Sequence, residues 1–166
     1  ALMPGEHSAG LAAPLGPGRE LRGLNLAALQ HPAVLDHYLR TSLEGTLLVL
    51  VRLLGGRGHW SYGLEQLQDW ARSGAGRHLL VMAGTAEEDP ALTPLSTVPE
   101  RLALARSGCL REGGPKNLAV VLASLRALLD AGDAPLPQPQ PLADPQPHDW
   151  RDDPGPTVGV ILYRAL

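Results

Sequence analysis

The chain alternates between short, almost continuous apolar runs and longer stretches in which apolar residues recur at helical spacing. Residues 46–54, "TLLVLVRLL", are interrupted only by Thr46 and Arg52, and residues 77–84, "RHLLVMAG", repeat the pattern. Runs of this length without polar alternation predict strands covered on both faces by helices, as in a parallel sheet. Between them Leu64, Leu67, Trp70 and Ala71 predict a helix from about Tyr62 to Arg72, ended by "SGAG". Strand, helix and strand in that order form a right-handed parallel crossover.

The same reading extends in both directions. "LRGLNLAAL" (21–29) predicts a short strand, and Pro32 then opens a helix whose Leu35, Tyr38, Leu39, Ser42 and Leu43 share one face before Gly45 stops it. The polar stretch 85–99 predicts a loop with one helical turn, followed by a short helix that Pro99 opens. Leu118, Val121, Leu122, Leu125, Leu128 and Leu129 hold helical spacing from Pro115 to Asp130, with Gly132 beyond, and form the clearest amphipathic pattern in the chain. The expected fold is therefore α/β: a mostly parallel, doubly wound sheet of the Rossmann or flavodoxin kind with flanking helices. The expected organisation is an irregular segment at 1–20, the α/β domain at 21–132, a linker at 133–156 with eight prolines in 24 positions, and a strand at 157–166. That last strand, "TVGVILYRAL", either opens a following domain or returns to the first sheet.

Composition narrows the function classes. A chain of 166 residues that is 44% apolar suits one domain with a real core. The formal charge of −3 leaves no basic excess for a phosphate backbone, so no nucleic-acid partner is expected. The longest apolar run, 47–54, is too short to cross a bilayer, and the first residues lack the order of a signal peptide, so the expected setting is cytoplasmic without membrane contact. A single cysteine, Cys109, excludes an internal disulfide and a cysteine-based zinc site; its ordinary role is a small side chain near a helix end.

Local chemistry concentrates in the turn "GGRGHW" after the first strand. Gly56 and Gly58 match the start of a dinucleotide loop, but Ser61 stands where the third glycine belongs and no acid closes the next strand. Gly58 and Gly63 have Walker spacing, yet Leu64 and Glu65 replace the lysine and hydroxyl. The six histidines include no tight cluster with Asp or Glu at ligand spacing, so neither a metal site nor catalytic residues are assigned. What remains is position: in an open parallel sheet, ligands bind at the carboxyl ends of the strands. Arg52, Gly55, Gly56, Arg57, His59 and Trp60 fall there as candidate ligand-binding residues. Arg52 in an apolar strand either pairs with an acid such as Glu44, Glu65 or Glu112 or faces a ligand, and Trp60 either packs as core or offers a flat surface. "REGGPKN" (111–117) supplies a second set, Glu112, Gly113, Gly114 and Asn117, at the start of the long helix, where they either receive an anionic group or close a tight chain reversal.

In the order "RLLGGRGHWSYGLEQL", "PLSTVP", "LREGGPKNLAVVLASL" and "VGVILYR", these motifs resemble those of one family: the large subunit of aerobic cobaltochelatase, the CobN type related to the magnesium-chelatase H subunit. The resemblance runs from about Leu24 to Arg164, apart from the proline-rich stretch. It implies ATP-dependent insertion of Co²⁺ into a corrin ring, hydrogenobyrinic acid a,c-diamide, on the aerobic route to cobalamin. It further implies that the large subunit holds the corrinoid tetrapyrrole and metal while AAA+ type ATPase and accessory subunits hydrolyse ATP, so that this segment itself binds no cofactor. Members of the family are several times longer, and a first strand expected near the amino terminus has no counterpart in "ALMPGEHSAGLAAPLGPG". The segment is accordingly expected to be a fragment, not catalytic without the rest of the large subunit. Two other readings of the same motifs are a non-catalytic interaction or scaffold domain, and a magnesium-chelatase H-type subunit acting on protoporphyrin.

Overall fold

A computed structural model describes residues 15–131 and 135–142. Two parallel strands, β1 (Leu48–Leu53) and β2 (His78–Ala83), pair in register from Leu48 opposite His78 to Leu53 opposite Ala83. Among the described residues four helices flank them: α1 (Pro32–Ser42), α2 (Ser61–Arg72), α3 (Glu100–Glu112) and α4 (Gly114–Ala131). The α/β class and the parallel crossover expected from the apolar pattern are thus the observed ones, with the strands shorter than their apolar runs by three and two residues.

Strand alternation divides the core between the two faces of the sheet. Val51, Leu53, Leu79, Val81 and Ala83 pack with Leu35, Leu64, Leu67, Trp60 and Trp70 under α1 and α2. Leu80 and Met82, joined by Leu48 and Leu50, pack with Leu102, Cys109, Val121, Leu122 and Leu125 of α3 and α4. Burying each such leucine contributes about 2 kcal/mol, so both faces of this small sheet are needed to hold the helices.

The outer edge of β2 is closed by side chains in place of a third strand. Thr97 Oγ1 accepts from the Leu79 N–H at 2.8 Å, the Thr97 N–H donates to the Leu79 carbonyl at 2.8 Å, and Ser96 Oγ accepts from the Val81 N–H at 2.9 Å. Leu79 and Val81 are fully buried, so these bonds satisfy amides that water cannot reach. That is the structural work of "PLSTVP" (94–99), and Thr93–Leu95, which overlaps its start, forms the one helical turn expected in the loop.

The strand expected at 21–29 is not formed. Asn25 Oδ1 accepts from the Ala27 N–H at 3.0 Å and caps a short 3₁₀ turn, Leu26–Leu29, and no described strand lies beside this segment to pair with it. The strand expected at 157–166, the first fourteen residues of the amino-terminal segment and residues 143–156 of the proline-rich stretch lie outside the described residues.

On the α3 and α4 side a guanidinium is buried with no carboxylate partner among the described residues. Arg106 has no exposed surface and donates to the Leu102 carbonyl at 2.9 Å and the Ser124 carbonyl at 3.3 Å. Burial lowers its pKa. His78, at the start of β2, is lowered from its ordinary 6.5 by desolvation and then by the charge of Arg106. Below pH 6.5 the unfolded chain therefore binds a proton that the native chain does not, and stability falls as pH drops from there through the lowered native pKa. Urea unfolding at steps between pH 7.5 and pH 5 is expected to show a steeper loss for the native sequence than for His78→Gln; equal slopes would remove His78 from this account.

Candidate functional site at the carboxyl edge of the sheet

Three segments meet where the strands end: the glycine turn 54–60, the loop 84–92 that leaves β2, and the turn 111–114 between α3 and α4. The first two approach each other at Gly56, where a Cβ would stand 3.3 Å from Asp89 Oδ2. The second and third are joined by an ion pair between Glu88 and Arg111 at 2.8 Å. The two glycine motifs therefore share one edge of the sheet.

They also share a backbone geometry. Gly55 and Gly56 have φ of 94° and 72°, and Gly113 and Gly114 have φ of 71° and 77°. With ψ of −179° at Gly56 and −163° at Gly113, both residues occupy a region open essentially to glycine alone. Each pair lets the chain leave one element and enter a helical turn without an intervening loop. Gly56 precedes the 3₁₀ turn Arg57–Trp60, and Gly113 and Gly114 connect α3 directly to α4.

The side chains at this edge divide into an exposed set and an inward set. Arg52, Arg57 and His59 are exposed, and the His59 ring lies over Gly55 with Cγ 3.1 Å from where a Cβ would stand. Arg52 and Arg57 form no ion pair with any carboxylate among the described residues. Arg52 is opposite Met82, so it projects on the face of the sheet where the Arg111–Gly114 turn stands. Glu112 and Gly114 are exposed in that turn, and Gly113 is half-buried.

Trp60 and Asn117 point the other way. Trp60 is buried, its indole N–H donates to the Leu29 carbonyl at 3.2 Å, and its ring lies on the α2 backbone at Gly63. Of its two roles left open by the sequence, it has the core one. Asn117 is fully buried with its amide saturated: Nδ2 donates to the Gly113 carbonyl at 2.8 Å and the Gln140 carbonyl at 2.7 Å, and Oδ1 accepts from the Gln140 N–H at 2.8 Å. It holds residues 135–142 of the proline-rich stretch against α3 and α4. Ser124 Oγ donates to the Pro135 carbonyl at 3.3 Å, Pro137 is buried, and Pro139 rests on Gly108.

Sequence reasoning did not single out Glu88, Asp89 or Arg111, which join the three segments; the acidic run "EED" (87–89), in the loop after the second strand, was the available signal. Among the described residues no three His, Cys, Asp or Glu side chains group as metal ligands. Cys109 is fully buried in the core, and burial pushes its thiol pKa up. No described helix is long and apolar enough to cross a membrane.

What the exposed edge offers is two guanidiniums without a carboxylate partner among the described residues and an imidazole, beside two tight glycine turns, an arrangement suited to carboxylate groups.

No family model matches the chain. Among curated proteins it is similar to the aerobic cobaltochelatase subunit CobN of Pseudomonas aeruginosa, 31% identical over an alignment of 158 positions that covers 87% of this chain and 12% of that protein. It is also similar to the aerobic cobaltochelatase subunit CobN of a Sinorhizobium species, 29% identical over an alignment of 174 positions that covers 90% of this chain and 13% of that protein. The chain thus spans about an eighth of the length of these relatives. Among solved structures, the catalytic subunit of cobaltochelatase from Mycobacterium tuberculosis has the same fold over 83% of this chain and 11% of its own, with a TM-score of 0.54 and 24% identity.

Proposed function

We propose, from a chain that belongs to the CobN family of aerobic cobaltochelatase subunits, that residues 15–142 frame one wall of the tetrapyrrole cleft in the large subunit. The reaction in this reading is ATP-dependent insertion of Co²⁺ into hydrogenobyrinic acid a,c-diamide. The observation that carries the assignment of this edge is that Arg52 and Arg57, exposed at the carboxyl end of β1, have no carboxylate partner among the described residues. A corrinoid with carboxylate side chains supplies the missing charge, with His59 beside it and Gly55, Gly56, Gly113 and Gly114 allowing close approach. Trp60, Asn117 and Glu112 shape the edge in this reading: Trp60 from below, Asn117 by fixing the second turn, and Glu112 by ending α3 before it.

Co²⁺ enters as substrate, and the residues that handle it lie elsewhere in the large subunit. ATP is hydrolysed by AAA+ type partner subunits in the cytoplasm, consistent with a glycine turn whose spacing fits neither nucleotide-binding pattern. The segment has no catalytic role on its own.

The test is corrinoid affinity of the full-length subunit after replacing Arg52, Arg57 and His59, singly and together, by glutamine. A charge-assisted contact is worth about 1.5–3 kcal/mol, so each arginine that touches the ring costs about tenfold or more in affinity. Unchanged affinity in a folded triple variant would sink the cleft-wall assignment and leave a scaffold role. Titration with protoporphyrin in parallel separates cobalt from magnesium chemistry.

A further inference from the structure

Residues 135–142 lie along α3 and α4 as a strap, with prolines at 135, 137, 139 and 141 that keep it extended and stiff. Its anchors among the described residues fall at or before Gln140. Ser124 Oγ donates to the Pro135 carbonyl, Pro137 is buried, and Pro139 rests on Gly108. The last anchor is the firmest: the Asn117 side chain bonds both the N–H and the carbonyl of Gln140, at 2.8 and 2.7 Å.

Two residues beyond that clamp, Leu142 reaches the second glycine turn. At Gly114 the three atoms nearest to where a Cβ would stand all belong to Leu142: Cδ2 at 2.8 Å, Cδ1 at 3.7 Å and Cγ at 3.8 Å. The space that glycine leaves open beside the turn is therefore filled by a leucine side chain from another segment. Neither Pro141 nor Leu142 forms a hydrogen bond with the described residues, and Leu142 is 42% exposed. A side chain held by one half-made apolar contact is released at low cost.

The first glycine turn is filled differently. The ring over Gly55 is that of His59, which belongs to the same turn and offers its own polar edge to a ligand. Leu142 offers nothing to a carboxylate. Close approach of a ligand to Gly114 and the seat of Leu142 use the same space, so the two exclude each other.

We propose that Leu142 is a latch on the second glycine turn, closed over Gly114 in the absence of ligand and displaced when a carboxylate-bearing ring comes against Gly113 and Gly114. The Asn117–Gln140 clamp is the fixed end about which it swings. Pro141 has a fixed φ, so the movement falls on its ψ and on Leu142 itself. The inference rests on the cleft-wall assignment and adds what the ring must displace to dock. A ring that binds only the open state has its affinity reduced by the open fraction, and half of a leucine burial sets that fraction at about one in five.

Two measurements on the full-length subunit test the latch, with hydrogenobyrinic acid a,c-diamide as the probe. The first follows the Leu142 methyl resonances, assigned by their loss in Leu142→Ala. They are expected to move to the positions of a solvent-exposed leucine as the ring saturates the protein, while the Gln140 amide stays protected from exchange. The second is affinity: Leu142→Ala is expected to bind the ring about fivefold tighter, with Gln140 again protected. Methyl resonances that stay in place on binding overturn the proposal. Equal affinity in Leu142→Ala does so too, and weaker affinity would make Leu142 a contact of the ring and not its competitor. Loss of Gln140 protection on binding also overturns it, because the whole strap would then leave. The two assignments fail separately. Native affinity after replacing Arg52, Arg57 and His59 removes the cleft wall, whereas lost affinity in that variant with unmoved Leu142 methyls in the native protein removes the latch alone.

Discussion

Gly63→Ala lowers the stability of the chain by about 3 kcal/mol, a large cost for one methyl group on an internal helical position. Alanine is normally the better helix former by about 1 kcal/mol, so helix propensity predicts the opposite sign. The reason for the reversal is Trp60. A Cβ at Gly63 would stand 2.1 Å from Trp60 Cε2 and 2.3 Å from Cζ2, inside the indole ring. The ring has nowhere to retreat, because it is buried in the α1 and α2 core and tied by its N–H to the Leu29 carbonyl. Trp60→Ala alone costs about 3–5 kcal/mol through the cavity it leaves. Once the ring is gone the Gly63 methyl has room, so in the double variant the second substitution is expected to cost nothing further. Urea denaturation of the four proteins measures this coupling. Additive losses would show that the ring and Gly63 do not form one contact.

The pair also shows where sequence reading stops. The apolar runs located both strands, and the leucine spacing located α2 and α4, because burial on two faces or one leaves a periodic trace in composition. "GHWSYG" leaves no such trace. The same letters fit an aromatic surface for a planar ligand and a tryptophan folded back on its own helix. Only the path of the chain, which brings the Leu29 carbonyl to the indole N–H across 31 positions of sequence, decides between them.

The segment 21–29 failed for a related reason. Its leucines suit a strand, but a strand needs a neighbour, and a groove beside β1 separates it from one. Local capping by Asn25 then prevails. At the carboxyl edge, the placement of Arg52, Arg57 and His59 was legible from the rule that loops after parallel strands gather there. Its links through Glu88 and Arg111 were not, since an ion pair between a loop and a distant helix end has no period.

Asn117→Asp is expected to cost about 3 kcal/mol at neutral pH and to free residues 135–142, although the substitution changes a single amide nitrogen to oxygen. Nδ2 of Asn117 donates to two carbonyls, those of Gly113 and Gln140, while Oδ1 accepts the Gln140 N–H. A carboxylate keeps the last bond and turns the first two into repulsions, in a position with no exposed surface. Protonation restores one donor, so part of the loss is expected to return as pH is lowered through the aspartate's raised pKa, the opposite of the dependence that His78 introduces. Amide exchange at Gln140 and unfolding at pH 7 and pH 5 read both effects. The consequence reaches the candidate site, because Asn117 bonds the Gly113 carbonyl and Leu142 lies over Gly114, where a Cβ would stand 2.8 Å from Cδ2. The second glycine turn is thus held between α4 and the docked proline-rich segment. If Asn117→Asp leaves Gln140 exchange unchanged, that segment is not fastened where the hydrogen bonds place it, and the turn at Gly113 and Gly114 owes its shape to the glycines alone.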